Sequence, residues 1–457
     1  MTLETVRIGR IQRLKALFTF QQVLDRFEMI SDRSSGLVKV EGGRASYYVV
    51  WEPELLERIL VTHQHLYVKS AQYRLLAVVV GEGLLTSEGE LWTSQRRVIQ
   101  PMFAKRHLGR FAEHMTDAIG DFVRVWSTLD DGDQVDAATA MNTLTLDVVG
   151  RALFGAELSG KAARLGPVLT SGLRAGVRAA RLQLLFDPPP WLVEKAPGLV
   201  RRAPSWTPGL RWIHDVLRTT DEVVEEIIAG HPEGSDDLLG LLLAARDPET
   251  GEAMPRRQVR DELMTFLLAG HETTANGLAW LWYLLATHPE VRDRVCDEVE
   301  DVLRGRVPTA GDADKLVWTA AAFQEALRLY PPAWSIVRTT AEADTLNGHE
   351  IPAGTSIVIP VYLAHRNPRL WPDPDRFDPR RFLPGRSQPP RFAYLPFGGG
   401  RRICVGAGFA VMEATLIIAM LVQRFRLELR EGAEVVPEAT VTLRPRNGIP
   451  MTLHKVV

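Results

Sequence analysis

Cysteine is nearly absent: two residues among 457, too few for a disulfide framework. A long apolar run is missing from the start of the chain. "MTLETVRIGRIQRLKALFTFQQVLDRF" interrupts its apolar positions every few residues, whereas a spanning helix needs about 20 mostly apolar residues. It does not read as a secretory signal, so a reducing cytoplasm and no integral membrane segment are expected. Leu14, Leu17, Phe18, Val23 and Phe27 instead fit an amphipathic first helix packed on the protein. Excess charge is lacking too. Lys and Arg number 54 and Asp and Glu 56, a net charge of -2, which leaves no electrostatic case for nucleic acid. Internal repeats and low-complexity linkers are also missing, and one large domain over residues 1–457 is expected.

What is present is an ordinary globular balance, 46% hydrophobic and 24% charged. "SGLVKVEGGRASYYVVW" predicts two short strands joined by a Gly-Gly turn, and "EPELLERILVTH" a helix opening at proline. Helical spacing dominates from about residue 105 to 300. It is broken by the Pro- and Trp-rich "FDPPPWLVEKAPGLVRRAPSWTPG", while "PEGSDDLLGLLLAARDPETG" reads as a capped helix between turns. Short strands ("TSIVIPVYL", "RFRLEL", "VTLRPRNGIPMTLH") then alternate with Pro-rich chain. The fold class is mainly α with small β-sheets.

"VRDELMTFLLAGHETTANGLAWLWYLLATH", residues 259–288, is apolar on nearly every side, the pattern of a core helix. At 1.5 Å per residue it would run about 45 Å, across the whole domain. Yet "GHETT" stands in its middle, where an unpaired Glu272 is costly. Gly270 and the polar residues after it weaken the helix locally. An acid beside an alcohol, Glu272 and Thr273, next to a small-residue gap, points to proton delivery through ordered water.

The loop "FGGGRRICVG", residues 397–406, holds Cys404. It carries no phosphate-binding pattern, since G-x-x-x-x-G-K-[ST] is absent and the G-x-G at Gly406 lacks its third glycine. Gly398, Gly399 and Gly400 are expected to bring backbone close to a flat cofactor face. Arg401, Arg402 and the start of the following helix are expected to favour thiolate over thiol. A lone thiolate cannot make a structural zinc site, which wants four ligands, but it can be the single axial ligand of a haem iron.

Phe397, Gly400, Arg402, Cys404 and Gly406 match F-x-x-G-x-R-x-C-x-G, and the loop thereby resembles the haem-ligand signature of the cytochrome P-450 superfamily. "AGHETT" (Ala269, Gly270, Glu272, Thr273) is similar to that family's oxygen-activating motif. "EALR" (Glu325, Arg328) looks like its E-x-x-R pair, and "PDRF" (Arg376) like the arginine completing a buried Glu-Arg-Arg cluster. "WTSQR" (Trp92, Arg96) resembles the W-x-x-x-R donors to a haem propionate, and Arg338 in "SIVRTT" matches another propionate-binding arginine. The proline-glycine pattern usual before the first strand is missing.

The resemblance implies a single P-450-type domain with heme b between the long distal helix and the proximal cysteine loop. Cys404 would hold iron, while Glu272 and Thr273 would deliver protons. One atom of O2 would enter a small but bulky apolar substrate, terpenoid, carotenoid, fatty acyl or polyketide-like. By analogy "QYRLLAVVVGEGLL", "LRAGVRAARLQLLFDPPPWL" and "AWSIV" line its pocket, with Trp334 as a contact. No flavin or nicotinamide domain lies within the chain, so a ferredoxin and an NAD(P)H-dependent ferredoxin reductase are expected. Two arginine-rich runs would dock the ferredoxin: Arg96, Arg97, Lys105, Arg106 and Arg110, then Arg380, Arg381, Arg386, Arg391 and Arg401. Charge reversal at Arg97 and Lys105 is expected to weaken reduction. The rival readings are a haem-thiolate protein using peroxide, a haem sensor without turnover, and a thiol hydrolase pairing Cys404 with His271.

Overall fold

The computed structural model describes residues 3–7, 36–42, 45–155, 211–232, 237–387 and 389–456, with isolated positions besides. The predicted first helix, the Pro- and Trp-rich stretch and most of "LRAGVRAARLQLLFDPPPWL" lie outside the described residues. Strands β1 (Glu4–Arg7), β2 (Leu37–Gly42) and β3 (Ala45–Val50) come first, and β2 and β3 form the expected hairpin. With β4 (Tyr67–Lys69), β6 (Ile336–Thr340) and β9 (Ser356–Ile359) they make a six-stranded mixed sheet in the order β1-β2-β3-β9-β6-β4. The predicted proline-led helix starts at Pro53 and changes to a π-helical turn over Arg58–Thr62.

Three small sheets complete the β structure. β5 (Gln134–Asp136) pairs with β13 (Pro450–Lys455), which pairs with β10 (Phe425–Leu429). β7 (Asp344–Leu346) and β8 (His349–Ile351) form one hairpin, β11 (Pro437–Ala439) and β12 (Leu443–Pro445) another.

The helices are α1 (Ala71–Val80), α2 (Gly89–Ile99), α3 (Lys105–Ser127), α4 (Ala137–Phe154) and α5 (Arg211–Ala229). They continue as α6 (Leu238–Ala244), α7 (Arg256–Thr287), α8 (Pro289–Leu303), α9 (Val317–Leu329) and α10 (Ala407–Val422). The reasons are local. α6 is capped by Asp237, whose carboxylate accepts Gly240 N–H at 2.9 Å, and α4 ends at Gly155 in the left-handed region. α3 buries Leu108, Phe111, Ala112, Met115, Ala118, Ile119 and Trp126, the stripe of a helix with one face in the core.

α7 runs through the middle, packed chiefly on α4 and α9, and is helical over its full 32 residues. Its aromatic end is fixed by Trp280 stacked on Tyr330, centroids 4.1 Å apart. The helices share one hydrophobic core, and the six-stranded sheet with the β11–β12 hairpin forms a second. The cysteine loop, residues 397–406, lies where the two meet. Among the described residues no helix is long and apolar enough to cross a membrane.

Candidate active site

The cysteine loop is built by glycines. After Gly399 the chain makes a 3-10 turn over Gly400–Arg402, and Cys404 N–H donates to Phe397 O at 2.9 Å, closing the loop. Gly400 has φ +67°, and a Cβ there would stand 1.8 Å from Leu60 O, so only glycine fits. A Cβ on Gly399 would stand 2.7 Å from the Phe392 ring. The tight approach is therefore to protein neighbours, which corrects the expectation that these glycines yield to a cofactor face.

Cys404 lies within the body of the protein yet presents an exposed side chain, so it faces an internal opening. Burial pushes its thiol above the ordinary value, against the Gly406 N–H and Arg96, which pull it down. The expectation that protein charge alone favours thiolate is corrected too. Arg401 and Arg402 lie over the Trp92 ring, 5.6 and 4.3 Å from its centroid, and Arg402 pairs with Glu88. Iron at the sulfur would supply the missing positive charge, because a coordinating thiol is deprotonated outright. The donor set fits a haem iron.

Across the opening stands α7. Phe103 links the two sides: its ring centroid is 5.7 Å from that of Phe266 on α7, and a Cβ on Gly406 would lie 3.9 Å from its edge. Most of α7 from Val259 to Leu285 is buried, but Ala269 is exposed and Gly270, Glu272 and Thr273 are half-buried. The expected weakening of the helix is offset by hydroxyls bonding back, Thr273 Oγ1 to Ala269 O at 2.6 Å and Thr274 Oγ1 to Gly270 O at 3.1 Å. Glu272 Oε1 accepts from Thr442 Oγ1 at 2.8 Å. His271 is tied to Leu267 O through Nδ1 at 2.6 Å, and burial lowers its pKa. That tether leaves no Cys404–His271 dyad.

Lys69 on β4 stands directly opposite Arg338 on β6, with Arg402 near both. Burial, then repulsion from Arg402, pulls Lys69 down to about 7, although its Nζ donates to Ser87 O at 3.0 Å and Leu84 O at 3.2 Å. Glu88 is the carboxylate facing this group: one oxygen takes the Lys69 N–H at 2.7 Å, the other pairs with Arg402. Three crowded cations against one carboxylate call for more negative charge, and the two carboxylates of a haem edge fit. Arg96 points to the cysteine loop, donating from Nη1 to Ile403 O at 2.8 Å. A groove of about 1080 Å³ lies outside this group, between Trp92, Arg97, Asp247, Glu249 and Arg402, and touches neither Cys404 nor Glu272.

Glu325 and Arg328, both 0% exposed, pair through two hydrogen bonds of 2.7 and 2.8 Å. Their third member is Arg381, whose Nε donates to Glu325 Oε1 at 3.3 Å; Arg376 is exposed and contributes only its carbonyl, to Arg328 Nη2. This corrects Arg376. A second P-x-R-F, "PRRF", begins five residues after "PDRF", and its 3-10 turn (Pro379–Phe382) aims Arg381 inward. His365 completes the cluster: Nε2 accepts Leu395 N–H at 2.9 Å and Nδ1 bonds Arg328 O at 3.1 Å, with burial taking its pKa down to about 3.

Trp334 is buried and donates from Nε1 to Thr440 O at 3.0 Å, so its indole braces the β11–β12 hairpin. Sequence reasoning missed Lys69, Arg381 and Thr442. It also missed Glu413, a fully buried acid of α10 whose oxygens have no hydrogen-bond partner and whose pKa burial raises well up. An acid inside "FAVMEATLII" is a visible signal; Lys69 and Thr442 have none.

A thiol set opposite an acid–alcohol pair, with buried cations at the rim, defines the haem-thiolate class of site. The family model for cytochrome P-450 matches residues 8–451, and the chain belongs to this family of haem-thiolate monooxygenases. It is 39% identical over 420 residues to a Mycobacterium tuberculosis protein named cytochrome P-450 132, covering 91% of this chain and 90% of that one. It is 34% identical to cyclooctat-9-en-7-ol 5-monooxygenase of Streptomyces melanosporofaciens, covering 86% of this chain and 82% of the relative. The solved heme domain of cytochrome P-450DA superposes with a TM-score of 0.87 at 26% identity, over 100% of this chain and 98% of that one.

Proposed function

We propose that this monooxygenase inserts one atom of dioxygen into a C–H or C=C bond of a bulky apolar molecule in the cytoplasm. Two electrons from an external ferredoxin and its NAD(P)H-dependent reductase, with two protons, carry the other atom off as water. The observation that carries this reading is the half-open Ala269–Thr273 segment of an otherwise buried helix. A protein that only stored or sensed haem would gain nothing from an acid and an alcohol there.

Haem, when bound, supplies iron for dioxygen reduction, and an axial thiolate favours O–O cleavage. Cys404 would be that ligand, and Lys69, Arg338 and Arg402 would hold the carboxylate edge. The Thr273 hydroxyl, parked on Ala269 O, can turn to donate into the opening, and Glu272 can return its proton from water. The substrate class rests on analogy with the cyclooctat-9-en-7-ol 5-monooxygenase and on the apolar α1 and hairpin side chains nearby.

The dock for an acidic ferredoxin is narrower than the arginine runs. Arg97 makes a two-bond pair with Asp247 (3.0 and 2.7 Å) and a further pair with Glu249, and Lys105 pairs with Asp314 at 2.9 Å. Exposed Arg106, Arg391 and Arg401, with the exposed apolar Leu91 and Ile403, support the remaining surface.

The test is a dithionite-reduced spectrum with and without carbon monoxide, then NAD(P)H-driven turnover. A strongly red-shifted Soret band and product containing one atom from O2 are expected. Thr273→Ala should divert electrons to peroxide. A normal haem–CO band, or coupling untouched by Thr273→Ala, overturns the reading.

A further inference from the structure

Glu272 is held by a different part of the chain. The β11–β12 hairpin pairs Ala439 with Leu443, leaving Thr440, Val441 and Thr442 as its tip. Thr442, 6% exposed, donates to Glu272 Oε1 at 2.8 Å and accepts from Asn276 Nδ2 at 3.2 Å. Its hydroxyl proton is thus committed to the carboxylate, because the amide has already taken a lone pair.

The rest of the hairpin is braced. Trp334 Nε1 bonds Thr440 O at 3.0 Å, Trp280 Nε1 bonds Leu443 O at 3.2 Å, and Leu443 N–H donates to Pro332 O at 3.0 Å. Inside the tip, Thr440 N–H and Oγ1 both donate to Thr442 O at 2.9 Å. Val441 alone is open, 44% exposed between buried Ala439 and buried Thr442 and Leu443. An apolar side chain so placed costs exposed area until something apolar covers it. A push on Val441 cannot slide the braced strands, so it turns the tip, and the Thr442 hydroxyl moves with it.

We propose that Thr442 is a positioning residue that parks the Glu272 carboxylate, and that an apolar substrate covering Val441 turns the tip and releases it. Proton delivery is thereby coupled to occupancy: with the site empty, the acid is held by the hairpin and reducing equivalents are spared. The inference rests on the assignment of Glu272 as the proton-delivering acid.

The test uses the holoenzyme and needs no substrate, because Val441→Trp imitates a covered tip. The carboxylate stretch of Glu272, identified by its loss in Glu272→Gln, is followed by infrared difference spectroscopy. It should shift in Thr442→Val and in Val441→Trp and return to its position in Thr442→Ser, which keeps the hydroxyl. Substrate-free NAD(P)H oxidation, driven by a surrogate ferredoxin and reductase, should rise about tenfold in Thr442→Val, the factor expected for loss of one hydrogen bond to a charged group. In the Glu272→Gln background Thr442→Val should add nothing.

An unmoved band in Thr442→Val and Val441→Trp overturns the coupling while leaving Glu272 its role. A rise in oxidation that persists with Glu272→Gln makes Thr442 merely structural and also overturns it. If Glu272→Gln leaves proton-dependent turnover untouched, the underlying assignment of Glu272 falls, and the coupling with it.

Discussion

Replacing Arg381 and, separately, Arg376 by alanine distinguishes the folded cluster from its sequence signature. Arg381 is 15% exposed and donates to Glu325 Oε1 at 3.3 Å, Pro372 O at 2.7 Å and Asp373 O at 3.0 Å. Charge-assisted hydrogen bonds contribute ~1.5–3 kcal/mol each when buried, and at this partial exposure water takes up part of the loss. Glu325 keeps Arg328 and the Asp378 N–H at 3.0 Å, so it is not stranded. The expected cost of Arg381→Ala is therefore about 2–4 kcal/mol. Arg376→Ala retains the carbonyl that serves Arg328 and loses only an exposed side chain, a change within about 0.5 kcal/mol. Guanidinium titrations followed by tryptophan fluorescence and by haem absorbance give two midpoints per variant, because a bound cofactor breaks two-state behaviour. Arg381→Ala should lower both, Arg376→Ala neither. Equal losses, or a larger loss for Arg376→Ala, would refute the assignment.

Cys404→Ser should retain some haem yet lose the red-shifted reduced carbon-monoxide band, read in the same cuvette as the wild type. Glu262 is buried, and burial lifts its pKa to about 8 although Oε2 accepts Leu84 N–H at 2.9 Å. Folding therefore binds a proton between its ordinary value near 4.5 and about 8, and this contribution to stability falls as pH rises through that window. Glu262→Gln keeps the acceptor and removes the slope, so it should gain a few kcal/mol over wild type at pH 8 and little at pH 5; denaturation midpoints at both values check this. Charge reversal at Arg391 and Arg401 should slow ferredoxin reduction and flatten its salt dependence in stopped flow. Arg97→Glu should instead loosen the 246–253 loop, seen as faster hydrogen exchange there.

The cysteine loop was legible because its chemistry is local: glycines, arginines and thiol lie within ten residues, and the long helix announces itself by being apolar on all sides. The β2–β3 hairpin followed from its Gly-Gly turn. Arg381 was misassigned because two P-x-R-F copies stand five residues apart, and which one enters the core depends on a 3-10 turn that neither copy encodes. Thr442 and Lys69 gave no signal. Each is an ordinary polar residue whose role comes from a partner far along the chain, Glu272 for one, Arg338 and Arg402 for the other. The electrostatics at Cys404 failed for a related reason: counting nearby arginines ignores that Trp92 and Glu88 already hold them, and that burial opposes ionisation.

The fit of Gly400 against Leu60 has a consequence for biogenesis. A loop that can seat only against the π-helical turn near the chain's start cannot close until that turn and the sheet beside it have formed. Contacts so distant in sequence are slow to assemble. A nascent chain on the ribosome will therefore carry Cys404 out of the exit tunnel before any seat for iron exists. Cofactor capture belongs to the last stage of folding, and haem supply in an expression host should limit yield after synthesis rather than during it.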